Sequence, residues 1–362
     1  MFGAERVVET MRTGLFDSST PADVFTFQAA HELLPPGLNS AIAQQSRLAS
    51  LPGLRQRGHR PGRWRYLLPY MPLYFRHLDL NDYDLVIASS HACAINARPG
   101  PDSLYVCYFH TPMRYVWMPE LEQERLSGLK GVGMRLLAGH LQRVDRSAAS
   151  RPDGLVANST AVRDRIRRFY GRDADVIPPP VDVEDLSPAA EKDAGLFLWV
   201  HRLVDYKRPE LVMEAFRGLP YRLTMVGIGP LEDRLRAKLP ANVELRGWIS
   251  RPELENLFAQ ASGFIHVGEE DFGIAFVEAL AAGTPVIALN RGGARDIIRP
   301  ERDGVLLDEL SIGALRNAIE TLASTSWEQK ALVERSREFS RERFLSRMSA
   351  YVRTLLGGPR DA

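Results

Sequence analysis

Two carboxylates, Glu270 and Glu278, stand with seven residues between them in the run Glu270-Asp271-Phe272-Gly273-Ile274-Ala275-Phe276-Val277-Glu278. A carboxylate offers two acceptor oxygens that grip vicinal hydroxyls, so one of the pair can hold a hexose and the other a ribose. The apolar run Gly263-Phe264-Ile265-His266-Val267 ahead of them predicts a buried strand, and 275–282, which has no breaker, predicts a helix. Strand, acidic turn and helix together put the backbone N–H groups of Phe272, Gly273 and Ile274 at a helix N-terminus. Free donors and a partial positive charge there favour a phosphate. A plainer account stays open, in which Glu270 caps the helix and Glu278 is a solvated helix residue.

A cationic element precedes this motif. The apolar run Leu196-Phe197-Leu198-Trp199-Val200 leads into His201-Arg202-Leu203-Val204-Asp205-Tyr206-Lys207-Arg208-Pro209 and then a helical pattern over 210–216. A guanidinium gives a planar fork for phosphate oxygens and an ammonium a mobile point charge, so Arg202 and Lys207 together suit a diphosphate. Each charge-assisted hydrogen bond is worth about 1.5–3 kcal/mol. The alternative is a set of basic residues on an exposed loop.

The elements that must position these groups alternate strand and helix, the pattern of parallel sheets covered on both faces, and two Rossmann-like α/β domains fit. In the first domain, residues 1–177, strands are expected at 22–27, 83–88, 103–108 and 154–157, with a further extended stretch at 175–177. Pro178-Pro179-Pro180 continues neither a helix nor a central strand and marks a linker. The second domain, 178–335, has strands at 196–200, 221–226, 243–245, 263–267, 285–289 and 304–307. A chain of 362 residues that is 45% hydrophobic and 25% charged buries two cores. Its net charge of +1 argues against a general nucleic-acid binder. Cys93 and Cys107 fall in or near apolar strands and read as buried thiols in a reducing cytoplasm. No apolar run approaches the roughly 18–20 residues that cross a bilayer, and no signal peptide is visible.

Several motifs in order resemble the family 4 glycosyltransferases, retaining and metal-independent enzymes of GT-B architecture, and within them the bacterial mannosyltransferase-like members that build surface polysaccharides. They are Gly3-Ala4-Glu5-Arg6-Val7-Val8-Glu9, 82–91, His110-Thr111-Pro112-Met113-Arg114-Tyr115-Val116-Trp117, the Arg202/Lys207 loop, 270–278, and 281–288 with Gly292-Gly293. The resemblance implies two Rossmann-like domains facing a cleft, with a C-terminal helix, 336–362, returning to the first. Arg202 and Lys207 are then the contacts of the donor diphosphate. Glu270 and the backbone of Phe272, Gly273 and Ile274 contact the sugar, and Glu278 the ribose. Gly247-Trp248-Ile249 lies where the base packs. His110 matches a histidine beside the anomeric centre and, with Glu270, is the catalytic candidate. Gly3, Ala4 and Glu5 form an acceptor or phosphate loop. The donor implied is a nucleotide-diphosphate sugar, GDP-mannose favoured, with no metal or other cofactor, and the acceptor a lipid-diphosphate-linked saccharide. Such proteins begin with a full strand before the glycine loop, whereas this chain starts inside the loop, so the first strand is expected to be missing. His201 stands where the family has a small residue near the phosphates, where it either crowds the site or adds a donor.

From Leu33 to Leu78 there is no acidic residue, yet Arg47, Arg55, Arg57, Arg60, Arg63, Arg65 and Arg76 are interleaved with Trp64, Tyr66, Tyr70, Tyr74 and Phe75. Anionic lipid attracts such stretches by about 1 kcal/mol per basic residue, so 47–76 is expected to dock on the inner face of the cytoplasmic membrane. Gly227-Ile228-Gly229 lacks the third glycine of a dinucleotide fingerprint. Asp82-x-Asp84 precedes its strand and reads as turn chemistry rather than a metal pair. Two other functions compete: a nucleotide-sugar epimerase, which converts the donor without an acceptor, and a non-catalytic membrane adaptor.

Overall fold

The computed structural model describes residues 3–16, 22–51, 54, 63–119 and 128–357. Its strands are β1 (Val24–Thr26), β2 (Ile42–Gln45), β3 (Leu85–Ser90), β4 (Leu104–Phe109), β5 (Gly154–Ala157), β6 (Asp175–Val176), β7 (Asp193–Val200), β8 (Arg222–Val226), β9 (Val243–Arg246), β10 (Ala261–His266), β11 (Val286–Leu289) and β12 (Gly304–Leu307). The α-helices of eight residues or more are α1 (Gly3–Gly14), α2 (Gly128–Ala149), α3 (Thr160–Tyr170), α4 (Pro209–Phe216), α5 (Arg251–Gln260), α6 (Ile274–Ala281), α7 (Ile312–Ser324), α8 (Gln329–Arg337) and α9 (Arg341–Gly357). They fall into two compact units, Met1–Pro178 with Phe344–Ala362, and Pro179–Arg343.

In unit 1 the parallel sheet runs β3-β4-β5-β6, and β1 and β2 make a separate parallel pair. Every residue of β4 is buried, so its two-residue alternation serves two layers. Tyr105, Cys107 and Phe109 pack with Val162, Ile166 and Phe169 of α3. Leu104, Val106 and Tyr108 pack with Val7 and Met11 of α1 and with Phe344, Met348 and Val352 of α9. Both cysteines are buried free thiols. Among the described residues β3 pairs only with β4, and the β1–β2 pair joins no other strand.

Gly3-Ala4-Glu5 corrects one expectation, for these residues are the first turn of α1 and not a loop. Val7, Thr10 and Met11 line the buried face at helical spacing, and that packing against the sheet outweighs the freedom glycine brings to position 3. Burial raises the Glu5 carboxyl above its ordinary range.

Of the basic aromatic segment, Arg55, Arg57 and Arg60 lie outside the described residues. Tyr74 is spent on the fold, since its hydroxyl donates to Thr26 O at 2.9 Å and its ring meets Phe27 and Phe75 edge-on. Leu48, Leu51, Tyr70 and Leu73 remain exposed. No described helix is long and apolar enough to cross a membrane.

Unit 2 holds a six-stranded parallel sheet in the order β12-β11-β10-β7-β8-β9. One face carries Val212, Met213 and Phe216 of α4 with Leu315, Ile319 and Leu322 of α7. The other carries Leu257 and Phe258 of α5 with Phe276, Val277 and Leu280 of α6.

Candidate active site at the switch point of unit 2

β7 and β10 are hydrogen-bonded neighbours although β8 and β9 lie between them in sequence. The chain winds outward from this pair in both directions, so the loops leaving their carboxyl ends part and open a crevice, the place where doubly wound sheets take ligands. The loop after β7 carries His201, Arg202 and Lys207, and the loop after β10 carries Glu270, Phe272 and Gly273.

Both loops are held by close backbone contacts. His201 N donates to Val226 O at 3.0 Å and Leu203 N to Ile228 O at 3.1 Å. A Cβ at Gly227 would stand 2.9 Å from the His201 carbonyl carbon, and one at Gly229 would stand 2.8 Å from that of Leu203. The Gly-Ile-Gly pattern is therefore a buttress for the cationic loop. Gly293 does the same for the acidic turn, donating its N–H to Glu270 O at 3.0 Å and lying where a Cβ would stand 2.6 Å from the Phe272 carbonyl carbon.

Lys207 is buried, and its ammonium pairs with Glu270 Oε1, which also lies 2.8 Å from His266 Nε2. Arg202 is exposed. Lys207 is thus not a solvated loop residue. His266 is fully buried, and its ring lies 3.6 Å, centroid to centroid, from that of half-buried His201. Burial holds both imidazoles neutral, well below the ordinary histidine range; Lys207 adds to this at His266, and His266 and Lys207 add to it at His201. His201, His266 and Glu270 present ligand atoms within 4.8 Å of one another.

The acidic turn ends in Gly273, whose φ of +100° suits glycine and starts α6. The first N–H groups of α6 have no partner within the helix. The ring of Phe272 is buried against Phe339, with centroids 5.7 Å apart, so only its backbone is available to a ligand. Glu278 is not solvated, being buried with Oε1 accepting from Arg251 Nη1 at 2.7 Å. Trp248 is 70% exposed, an indole face open to stacking, while Ile249 packs partly into the core.

His110 belongs to unit 1, immediately after β4, and its Nε2 lies 2.8 Å from Ser89 Oγ. Burial, helped by nearby His91, lowers its pKa to about 3. Its backbone carbonyl accepts from Asn158 Nδ2 at 3.0 Å.

Three residues of this arrangement carried no functional reading in the sequence. His266 was visible only as a polar residue ending an apolar strand, four positions before Glu270. Arg251 meets Glu278 from 27 positions away, for which no local pattern exists. Gly293 was part of a motif but gave no sign of the backbone it would touch.

Two Rossmann-like α/β units, the second with a cation, a carboxylate and a helix start at its switch point, define the GT-B class of glycosyltransferases. The chain belongs to Glycosyltransferase Family 4, whose model matches residues 2–185, just over half of it, and the model of glycosyl transferases group 1 matches 183–339. A D-inositol 3-phosphate glycosyltransferase of Xylanimonas cellulosilytica is 29% identical over 43% of this chain and 45% of its own length. GDP-mannose-dependent alpha-mannosyltransferases of Mycobacterium tuberculosis and Mycolicibacterium smegmatis are 36% and 34% identical, over 35% and 45% of this chain and 36% and 46% of theirs. The chain thus matches less than half the length of these curated relatives. Among solved structures, the lipopolysaccharide outer core galactosyltransferase WaaB in its apo form has a TM-score of 0.65 at 16% identity, covering 98% of this chain and 96% of that one. A sucrose-phosphate synthase from Thermosynechococcus elongatus scores 0.63 at 20% identity, covering 86% and 83%.

Proposed function

We propose that this protein is a retaining hexosyltransferase that moves mannose from GDP-mannose to a lipid-diphosphate-linked or polysaccharide acceptor. The observation that supports this most is the pairing of buried Lys207 with half-buried Glu270 at the switch point, beside exposed Arg202 and the first turn of α6. The mannose assignment leans on the two mannosyltransferase relatives.

Breaking a glycosyl–phosphate bond builds negative charge on the diphosphate and positive charge on the sugar. Arg202, Lys207 and the helix N-terminus bind that developed charge better than the ground state, and so lower the barrier. When the diphosphate arrives, Lys207 turns to it and releases Glu270 to accept sugar hydroxyls. The departing phosphate then takes the acceptor hydroxyl's proton on the same face, which retains configuration. Glu278, steadied by Arg251, takes the ribose, and Trp248 covers the base. Exposed Leu48, Leu51, Tyr70 and Leu73, with Arg47 and Arg76 near them in the chain, suit an anionic membrane face, each basic residue adding about 1 kcal/mol.

Calorimetric titration with GDP-, UDP-, ADP- and dTDP-sugars tests the donor assignment. Selective GDP-mannose binding that Glu278→Ala abolishes is expected, with turnover falling more than tenfold in Glu270→Ala and Arg202→Ala. Near-normal rates in both of those variants would refute the site. Donor conversion without any acceptor would favour the epimerase. Failure to co-sediment with phosphatidylserine liposomes would remove the membrane role.

A further inference from the structure

The His201, His266 and Glu270 cluster contains more chemistry than the donor reading uses. His266 is fully buried, yet neither ring nitrogen has a hydrogen-bond partner, nor does Nε2 of His201. Nε2 of His266 approaches Glu270 Oε1 to 2.8 Å without making a hydrogen bond. Buried polar atoms are seldom left this way, and three at one place call for a further partner. Two neutral imidazoles present lone pairs, and a carboxylate completes the set. What satisfies lone pairs and a negative oxygen together is a cation.

We propose that His201, His266 and Glu270 form a binding site for a divalent transition-metal ion of the zinc class, for which the ammonium of Lys207 competes. Two imidazole nitrogens and one carboxylate suit zinc, cobalt or nickel, whereas magnesium and calcium prefer all-oxygen shells. Ligand atoms about 2.0–2.1 Å from a tetrahedral ion stand roughly 3.3 Å apart. The three groups already lie within 4.8 Å, a gap that small side-chain rotations close. Three protein ligands leave one position open. Lys207 now pairs with Glu270, so the site is balanced by an internal cation that an ion must displace. Gly268 leaves room for the His266 ring, since a Cβ there would press on its Cε1 at 3.0 Å.

The test uses the full chain, stripped with a chelator and titrated with Co2+ alone, reading the visible absorption of four- or five-coordinate cobalt and then its loss on adding Zn2+. One tight equivalent is expected. His201→Gln and His266→Gln should each weaken it at least tenfold; His201 is half-buried, so its variant keeps the test valid where the buried His266 variant fails to fold. Lys207→Met should tighten binding at least tenfold by removing the competitor, a change no surface histidine site would show. Absence of the absorption, indifference to His201→Gln, or unchanged affinity in Lys207→Met would overturn the proposal. No sugar donor enters these measurements, so they succeed or fail independently of the transferase assignment. Because Glu270 is also the proposed sugar contact, ion and donor should exclude one another; that clause alone rests on the transferase reading, and donor titration of the zinc-loaded protein checks it.

Discussion

Gly293→Ala asks whether the acidic turn must sit where it does. The new methyl carbon would stand 2.6 Å from the Phe272 carbonyl carbon, against an ordinary carbon separation of about 3.5 Å. The obstructing atoms are backbone, so no side chain can swing aside, and the turn must retreat by about 1 Å. The bond from Gly293 N to Glu270 O, at 3.0 Å, ties that retreat to the carboxylate itself. A misplacement of about 1 Å at a reacting group costs on the order of 100-fold in rate, or about 2.7 kcal/mol of transition-state stabilisation. Overpacking of this kind also costs about 1–3 kcal/mol of stability. The assay is kcat/KM with GDP-mannose beside urea unfolding. Gly139→Ala in α2 serves as control, because a Cβ there meets nothing within 4 Å and helix propensity should improve by about 1 kcal/mol. A folded Gly293→Ala protein with kcat/KM within twofold of the parent would refute the reasoning: unchanged stability would mean that the turn yields freely, and reduced stability that it is not a donor element.

Nucleoside diphosphate binding should quench tryptophan fluorescence through exposed Trp248, one of five tryptophans, and Trp248→Phe should abolish the change while leaving the protein folded. Arg251→Met strips buried Glu278 of its partner and should cost about 1–3 kcal/mol in urea unfolding; adding Glu278→Gln should recover part of that loss, and strict additivity of the two changes would contradict the pairing. His110 takes a proton only near pH 3 when folded but near pH 6.5 when unfolded, so its contribution is fully present above 6.5 and falls by about 1.4 kcal/mol per unit as pH drops below that. Urea midpoints at pH 7, 6 and 5 should therefore decline less steeply in His110→Gln than in the parent.

Strands such as 154–157 and 304–307 were legible because short β-branched and aliphatic runs stand between turn residues, and a sheet buried on both faces needs little else. β2 was not, because Ile42-Ala43-Gln44-Gln45 is half polar and, among the described residues, pairs with one strand, β1. α1 was misread at its start because the resemblance placed Gly3, Ala4 and Glu5 in a loop, whereas Val7, Thr10 and Met11 make it a buried face. Within the site, the types and order of Arg202, Lys207, Glu270 and Glu278 could be read along the chain. Their partners could not. Lys207 meets Glu270 across 63 positions and Arg251 meets Glu278 across 27, and such pairings arise only when β10 inserts beside β7.

The path of the chain through its two units has a consequence for synthesis. Unit 2 is one uninterrupted stretch whose ends are stitched together, Val181 N donating to Phe339 O at 3.0 Å and Val181 bridging Ser340. Unit 1 has no such closure of its own, for one face of its sheet waits on Phe344, Met348 and Val352 of α9. At about 5–20 residues per second, making Pro179–Arg343 takes a ribosome roughly 10–30 s. Throughout that interval Leu104, Val106 and Tyr108 lack the part of their cover that α9 supplies, and the half translated first is the half completed last. Nascent-chain quality control would therefore meet this protein through β4, and a premature stop before α9 would harm the unit that had already left the ribosome.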